Sequence, residues 1–428
     1  MERGSSPVRK VLAVAACLLF GVSCSDVGPR TVATTAVPTT RKPREADGDR
    51  KLRIGVLLPI TGPGESLTPP LFRAIDMARD EINAQGGLFG NKVEIVRVDE
   101  GPNLATASMS LEQLFHESLV DAIIGPASSR IALGLRDQLS ANAMPTCSPL
   151  ASATALSTVA DNGFFFRTIP SDALQAVAMA TAIELTGGKS VSIVYSNDDY
   201  GSVFYQNLRT ELTRRGITVL ASVEYETAAN QYRTVASRVF SGAQPDSVAL
   251  IGAGDVGARV LAALRTNGAP KTKVIVNDGL RGAGISAQRP DANPFWLDGV
   301  QGVAPQAHTT NATWLKQYAE SAGGLSDIYA AYAYDCVNLI ALAALASDSE
   351  SPAKLANGII SVSRSGVSCS SFASCKAELD NKRNIDLVGA SGLLDLTDGG
   401  DISTGQFDNF TFDSNGSDST KPLAITAG

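Results

Sequence analysis

The chain has 428 residues, 44% of them hydrophobic and 18% charged, with a formal net charge of −7. That is enough apolar material for two or three packed domains. It carries no run of Lys and Arg that would serve a nucleic acid, so this partner class is excluded. With two histidines and no cysteines at zinc-ligand spacing, the chain offers no metal site, no resident cofactor and no catalytic constellation of nucleophile, base and acid.

The N-terminus reads as an export signal. Arg3, Arg9 and Lys10 precede the apolar run "VLAVAACLLFGVS", which is too short to span a bilayer of roughly 30 Å and fits a secretory core. Small residues then lead to Cys24, the candidate for lipid attachment; Cys17, in "VAAC", leaves a shorter apolar run before it. Residues 1–24 are therefore read as a lipoprotein-type signal peptide. Residues 25–50 are rich in Thr, Pro and charge without apolar periodicity, as a flexible tether would be.

From Lys51 strands and helices alternate. "KLRIGVLLPI" reads as a buried strand and "TPPLFRAIDMARDEINAQGG" as a helix capped by Thr68. "NKVEIVRVDE" and "VDAIIGP" are the next strands, with helices "NLATASMSLEQLFHESL" and "SRIALGLRDQLSANA" between and after them. A second series starts at "LQAVAMATAIELTGG" and runs through the strands "SVSIVYSN", "TVLASVEYE", "SVALIGAG" and "KVIVND". This rhythm predicts an α/β chain with two doubly wound, Rossmann-like lobes. Residues 309–389 read as mainly helical, too few for a third sheet, and return to the first lobe. The predicted division is 51–165 with 309–389 for lobe 1, and 166–308 with 390–428 for lobe 2.

Four cysteines follow the tether. Cys369 and Cys375, in "SCSSFASC", are predicted to pair in an exported protein. Cys147 and Cys336 sit in apolar settings and are expected as buried thiols.

One stretch pulls towards a different function. "SVALIGAGDVGARVLAALRTNG" places Gly252, Gly254 and Gly257 at the spacing of a dinucleotide-binding turn, with Asp278 where a ribose-binding acid would fall. A lone GxGxxG inside a second lobe is weak evidence, since any doubly wound sheet can use glycine for a tight turn. Export also removes the chain from the cell's nicotinamide pool.

Eight further stretches occur in order: "IGVLLPITGPG", "AIDMARDEINAQGGLFG", "VDAIIGPASS", "SPLASATAL", "FFFRTIPSD", "VYSNDDYG", "GVQGVAP" and "YAAYAYDCVNLIALA". Together they resemble the type I periplasmic solute-binding proteins of ABC transporters, in the branched-chain amino-acid (leucine/isoleucine/valine-binding) family. The resemblance covers nearly all of residues 51–420. It implies two lobes joined by a three-strand hinge, and an extracytoplasmic protein that is not an enzyme. Such a protein captures a small amino acid or related polar solute between the lobes and delivers it, as a monomer, to an ABC permease. The same clamp could instead serve a ligand sensor reporting to a signalling partner.

By the same resemblance, Ser129 matches the serine that meets the ligand carboxylate, and Ala151 and Ser152 match the pair that contacts both ends of the ligand. Tyr200 matches the aromatic that closes from lobe 2, and Asp278 the acid that pairs with the ammonium. From residue type alone, Ser129 could equally cap a helix, Tyr200 could pack, and Asp278 could cap a turn with Gly279. Where that family often has a second lobe-2 aromatic, this chain has Ala253, Gly254 and Asp255. A smaller and more polar cleft wall follows, with Gly254 at the ligand.

Overall fold

The computed structural model describes residues 48–62, 64–226, 232–267, 272–281 and 296–426. The signal peptide, Cys24 and nearly all of the tether lie outside the described residues.

The first sheet is built from β1 (Arg53–Leu58), β2 (Glu94–Asp99), β3 (Ala122–Ile124), β4 (Thr146–Ser148) and β5 (Phe165–Arg167) in the order β2-β1-β3-β4-β5, all parallel. Its connecting helices are α1 (Thr68–Ala84), α2 (Leu104–Gln113) and α3 (Ser129–Ala141). The inner strands β1 and β3 read as apolar runs because both faces are covered, while the edge strand β2 keeps Glu94 and Arg97 exposed. Ile54, Val56 and Leu58 enter one core while Leu57 enters the other. On α1, Leu71, Ala74, Ile75, Ala78 and Ile82 form the buried stripe. Thr68 does not cap this helix. The cap position is Leu67, and the Thr68 hydroxyl instead donates to the Pro59 carbonyl at 2.6 Å.

The second series comprises α4 (Asp172–Leu185), β6 (Ser190–Ser196), α5 (Asp199–Arg214), β7 (Thr218–Tyr225), α6 (Arg233–Val239), β8 (Ser247–Ile251), α7 (Gly254–Asn267), β9 (Lys273–Val276) and β10 (Gln301–Pro305). All of β8 is buried, with Val248 and Leu250 in one core and Ala249 and Ile251 in the other.

Helices α8 (Ala312–Ala322), α9 (Ala330–Ser347), α10 (Pro352–Val362) and α11 (Phe372–Asp380) then pack into the core of the first sheet. Helix α9 is apolar nearly all round, as suits a helix that is 83% buried, with Asp335 and Asn338 as buried polar side chains. Contrary to the sequence expectation, this region does carry a third sheet. It is small: β11 (Val367–Cys369), β12 (Ile385–Gly389) and β13 (Gly392–Leu393). Leu394, Leu396 and Ile402 stay in the first core, after which β14 (Thr404–Phe412) and β15 (Asp418–Thr426) join the second sheet. That sheet has the order β15-β14-β10-β9-β8-β6-β7, with antiparallel pairing only where β14 and β15 add on. The backbone thus passes between the two sheets three times, after β5, after β10 and before β14.

Two disulfides brace the first lobe. Cys369–Cys375 is bonded as predicted. Cys147 and Cys336 are not free thiols: they form a second disulfide with Cα atoms 5.7 Å apart, joining β4 to α9. Both cysteines are fully buried, as expected of apolar settings. Packing brings them together across a sequence separation of 189, which no local pattern reveals.

Candidate functional site

In open parallel sheets ligands bind beyond the carboxyl ends of the strands. Here those ends border a cavity of about 520 Å³. Pro59, Leu67, Leu150, Ile169, Ile328 and Tyr329 give it an apolar surface; Glu100, Ser152, Asp278 and Arg281 give it polar groups.

Two of the predicted ligand residues, Ser152 and Asp278, border this cavity from opposite lobes. Asp278 follows β9 and opens a short 3₁₀ turn. Its Oδ1 accepts from Gln175 Nε2 at 2.9 Å, from Asn277 Nδ2 at 3.3 Å and from the Tyr200 hydroxyl at 3.5 Å. Tyr200 also accepts from Asn277 Nδ2 at 2.8 Å. Tyr200 is thus tied to the acid, and burial together with Asp278 and Asp172 holds its phenol well above the ordinary value.

Ser129 is not the cap of α3. That place belongs to Ser128, whose side chain accepts from Ile131 N, while Ser129 Oγ accepts from Ala153 N at 3.1 Å. Ala151 lies fully buried, its N–H donating to Ser148 Oγ at 2.9 Å and its carbonyl accepting from Arg167 at 3.3 Å. Gly254 sits exposed at the start of α7 with φ +54° and does not border the cavity.

The glycine turn has a packing explanation. A Cβ on Gly252 would fall 2.2 Å from the Tyr225 hydroxyl, and one on Gly257 would fall 2.7 Å from Leu280. The Gly252 N–H, which a pyrophosphate would need, donates to Asn277 Oδ1 at 2.9 Å. These residues join the turn to the Asp278 loop.

Three buried charged side chains around this cleft were not singled out from the sequence. Asp172, buried at the start of α4, lies where the backbone first passes between the sheets. Its main-chain N–H donates to the Ser152 carbonyl at 2.8 Å. Burial, with the charge of Asp278, pushes its carboxyl up to about 7, against the hydrogen bond from Ser152. From sequence it reads as a first-turn acid behind the cap Ser171, an ordinary helix-dipole pairing.

Arg167 is completely buried. Its Nε donates to Asp401 at 2.5 Å, Nη1 to the Ala153 carbonyl at 3.0 Å and Nη2 to Ser157 Oγ at 2.7 Å. One guanidinium therefore shapes the whole 151–157 loop. Glu100, the first residue after β2, is the third; burial pushes its carboxyl up to about 7 although Ala127 N and Ser128 N donate to it. The signal for each was a charged residue at a strand or helix end, where burial cannot be read from pattern. The cavity's guanidinium, Arg281, is held by Asp408 at 2.6 Å and Asp418 at 3.1 Å. Chemically, the arrangement offers the Asp278 carboxylate on one side and, on the other, an apolar wall with hydroxyls and the buried Glu100.

Comparison with known proteins agrees with this geometry. Residues 51–376 match the family model of periplasmic binding proteins. The chain is similar to a chemotactic signal transduction substrate-binding protein of Halobacterium salinarum, 28% identical over 80% of this chain and 83% of that protein. It is 25% identical to a Leu/Ile/Val-binding protein of Rhizobium johnstonii, over 44% of this chain and 52% of that one. A substrate-binding protein of a branched-chain amino-acid transporter from Streptococcus pneumoniae, solved in complex with isoleucine, superposes with a TM-score of 0.67 at 18% identity. That alignment covers 87% of this chain and 100% of the solved one.

Proposed function

This chain belongs to the periplasmic binding protein family and has its type I fold, and from that premise we propose that it captures a small amino acid or related polar solute between its lobes and delivers it to an ABC importer. The lobes, divided where the backbone passes between the sheets after β5, after β10 and before β14 rather than at the expected 165/166 and 389/390, close on the solute as a monomer. Cys24 carries the lipid that tethers the protein to the outer face of a bacterial membrane. One observation supports the reading above the others. Asp278, oriented by Gln175, Asn277 and Tyr200, borders the same cavity as Ser152 of the opposite lobe. An acid held by three donors is set to receive a cationic group, and charge-assisted bonds in a closed cleft are roughly twice as strong as neutral ones.

A thermal-shift screen of amino acids, their amides and aromatic acids tests this, because a solute that binds only the native state raises its apparent stability. The expected result is a clear shift with at least one amino acid or amine relative. No shift across the panel refutes the proposal.

The second reading, a sensor that passes the loaded state to a signalling partner, draws on the similarity to the chemotactic protein of Halobacterium salinarum. Deleting the gene separates the two. Loss of solute uptake marks transport; loss of taxis with uptake intact marks sensing.

A further inference from the structure

Glu100 is 1% exposed, yet it borders the cleft cavity. Its carboxylate oxygens accept from the N–H of Ala127 at 2.7 Å and of Ser128 at 2.9 Å. Those two amides lead directly into α3, a helix of 13 residues. The N-terminus of such a helix carries partial positive charge and outward-pointing N–H groups, which is where the anionic end of a ligand would settle. Here the chain's own carboxylate takes the amide of the cap residue Ser128 and that of Ala127 before it, and so stands beside that seat.

Neighbouring donors on the same wall are engaged as well. Ala151 N donates to Ser148 Oγ at 2.9 Å and Ala153 N to Ser129 Oγ at 3.1 Å. Across the cavity Arg281 is paired with both Asp408 and Asp418, so its charge is offset before a ligand arrives. Asp278 adds a second carboxylate to the lining, and Asp172 lies behind Ser152. The balance facing a solute is negative. A ligand carboxylate placed at Ser129 would adjoin Ser128, whose N–H Glu100 already holds, and two carboxylates at one site repel.

We infer that Glu100 is a specificity-determining residue: by holding the cap amide of α3 and the amide before it, it sets a buried carboxylate beside the start of that helix and makes the cleft favour a solute bearing an ammonium without a carboxylate over the amino acid of the same side chain. The inference rests on the proposed solute-binding role of the cleft and names the class of solute it takes. Burial holds the Glu100 carboxyl up to about 7. The ionised form, which repels a carboxylate, therefore dominates above neutral pH. The charged groups around it are Asp99 on its own strand, Asp278 and Arg281 across the cavity, and Asp172 behind Ser152.

Calorimetry at pH 8 with three matched pairs tests this: leucine and isopentylamine, phenylalanine and 2-phenylethylamine, lysine and cadaverine. Wild-type protein is expected to bind the amine of at least one pair tighter than its amino acid by about tenfold or more, since like charges juxtaposed in a binding site cost several kcal/mol. Glu100→Gln and Glu100→Ala should narrow or reverse that ratio, and the narrowing should shrink at pH 6, where wild type is itself largely protonated. Should both variants fail to fold, the wild-type ratio and its pH dependence still decide. Tighter binding of the amino acids by wild type, or a ratio indifferent to Glu100 in folded variants, overturns the inference and leaves the proposed function standing. Absence of binding by all six compounds overturns the inference, and the thermal-shift panel then decides the proposed function separately.

Discussion

The two walls of the cleft are held in different ways. On the first lobe the 151–157 loop hangs on one buried guanidinium, and the strand before it is bonded covalently through Cys147 to α9. On the second lobe the acid at Asp278 is held, among the described residues, by side-chain amides and a phenol from Gln175, Asn277 and Tyr200. The first arrangement fixes backbone shape; the second aims one charged group. Breaking the first should therefore cost stability, and breaking the second should cost affinity.

The largest effect is expected at Arg167. Arg167→Met keeps most of the volume but leaves Asp401 without its partner and strands the carbonyls of Ala151 and Ala153. Removing one partner of a buried ion pair costs on the order of 3–5 kcal/mol, so urea denaturation should show a large drop in midpoint. A variant as stable as wild type would mean the loop holds its shape by other contacts.

Asp278→Asn should produce the opposite profile. The amide keeps the shape and removes the charge, and losing one partner of a desolvated charge pair costs on the order of 2–5 kcal/mol, at least about thirtyfold in affinity. Denaturation should barely change, because the acid lies at the cleft edge and buries little apolar surface. Calorimetry with whichever solute the screen returns gives the affinity. If binding is indifferent to the substitution, the second wall does not recognise its ligand through this charge.

This asymmetry also marks what could be read from residues alone. The sheets were legible because parallel strands buried on both faces read as apolar runs such as "SVALI"; Ser152 and Asp278, which border the cavity, were named by the family resemblance rather than by the residues themselves. Cys369 and Cys375 were legible because six positions separate them. Arg167 was not, since a strand-end arginine normally points to solvent, and only the later arrival of Asp401 makes its burial tolerable. Nor was the pairing of Cys147 with Cys336, nor the tail strands β14 and β15, whose Thr, Ser and Asn residues resemble a loop until the edge beside β10 receives them. Legibility thus followed sequence distance. What neighbours decide locally can be read, and what a third passage of the backbone decides cannot.

The smallest expected effect lies between the walls, at Asp172. Burial, aided by Asp278, raises its folded pKa to about 7. Burial likewise raises Glu100 to about 7 and Asp335 to about 6. Ordinary carboxyls titrate near 4 when unfolded, so between about pH 4 and pH 7 the folded chain binds more protons than the unfolded one. Stability from these groups is complete below the unfolded value and is lost as pH rises through the folded one. Glu211 has the opposite sign: hydrogen bonding from Arg214 lowers it to about 2, so its contribution is lost only on further acidification. The ligand-free protein should therefore melt highest near pH 5 and lower at pH 8. Asp172→Asn removes one of these raised groups and should flatten that slope by no more than about 1.4 kcal/mol per pH unit, since one proton is involved. Melting temperatures of wild type and variant from pH 4.5 to 8.5 give the comparison. A wild-type profile that rises across this range would show that the carboxyl between the walls stays ionised, with the Ser152 hydroxyl and Arg167 outweighing its burial.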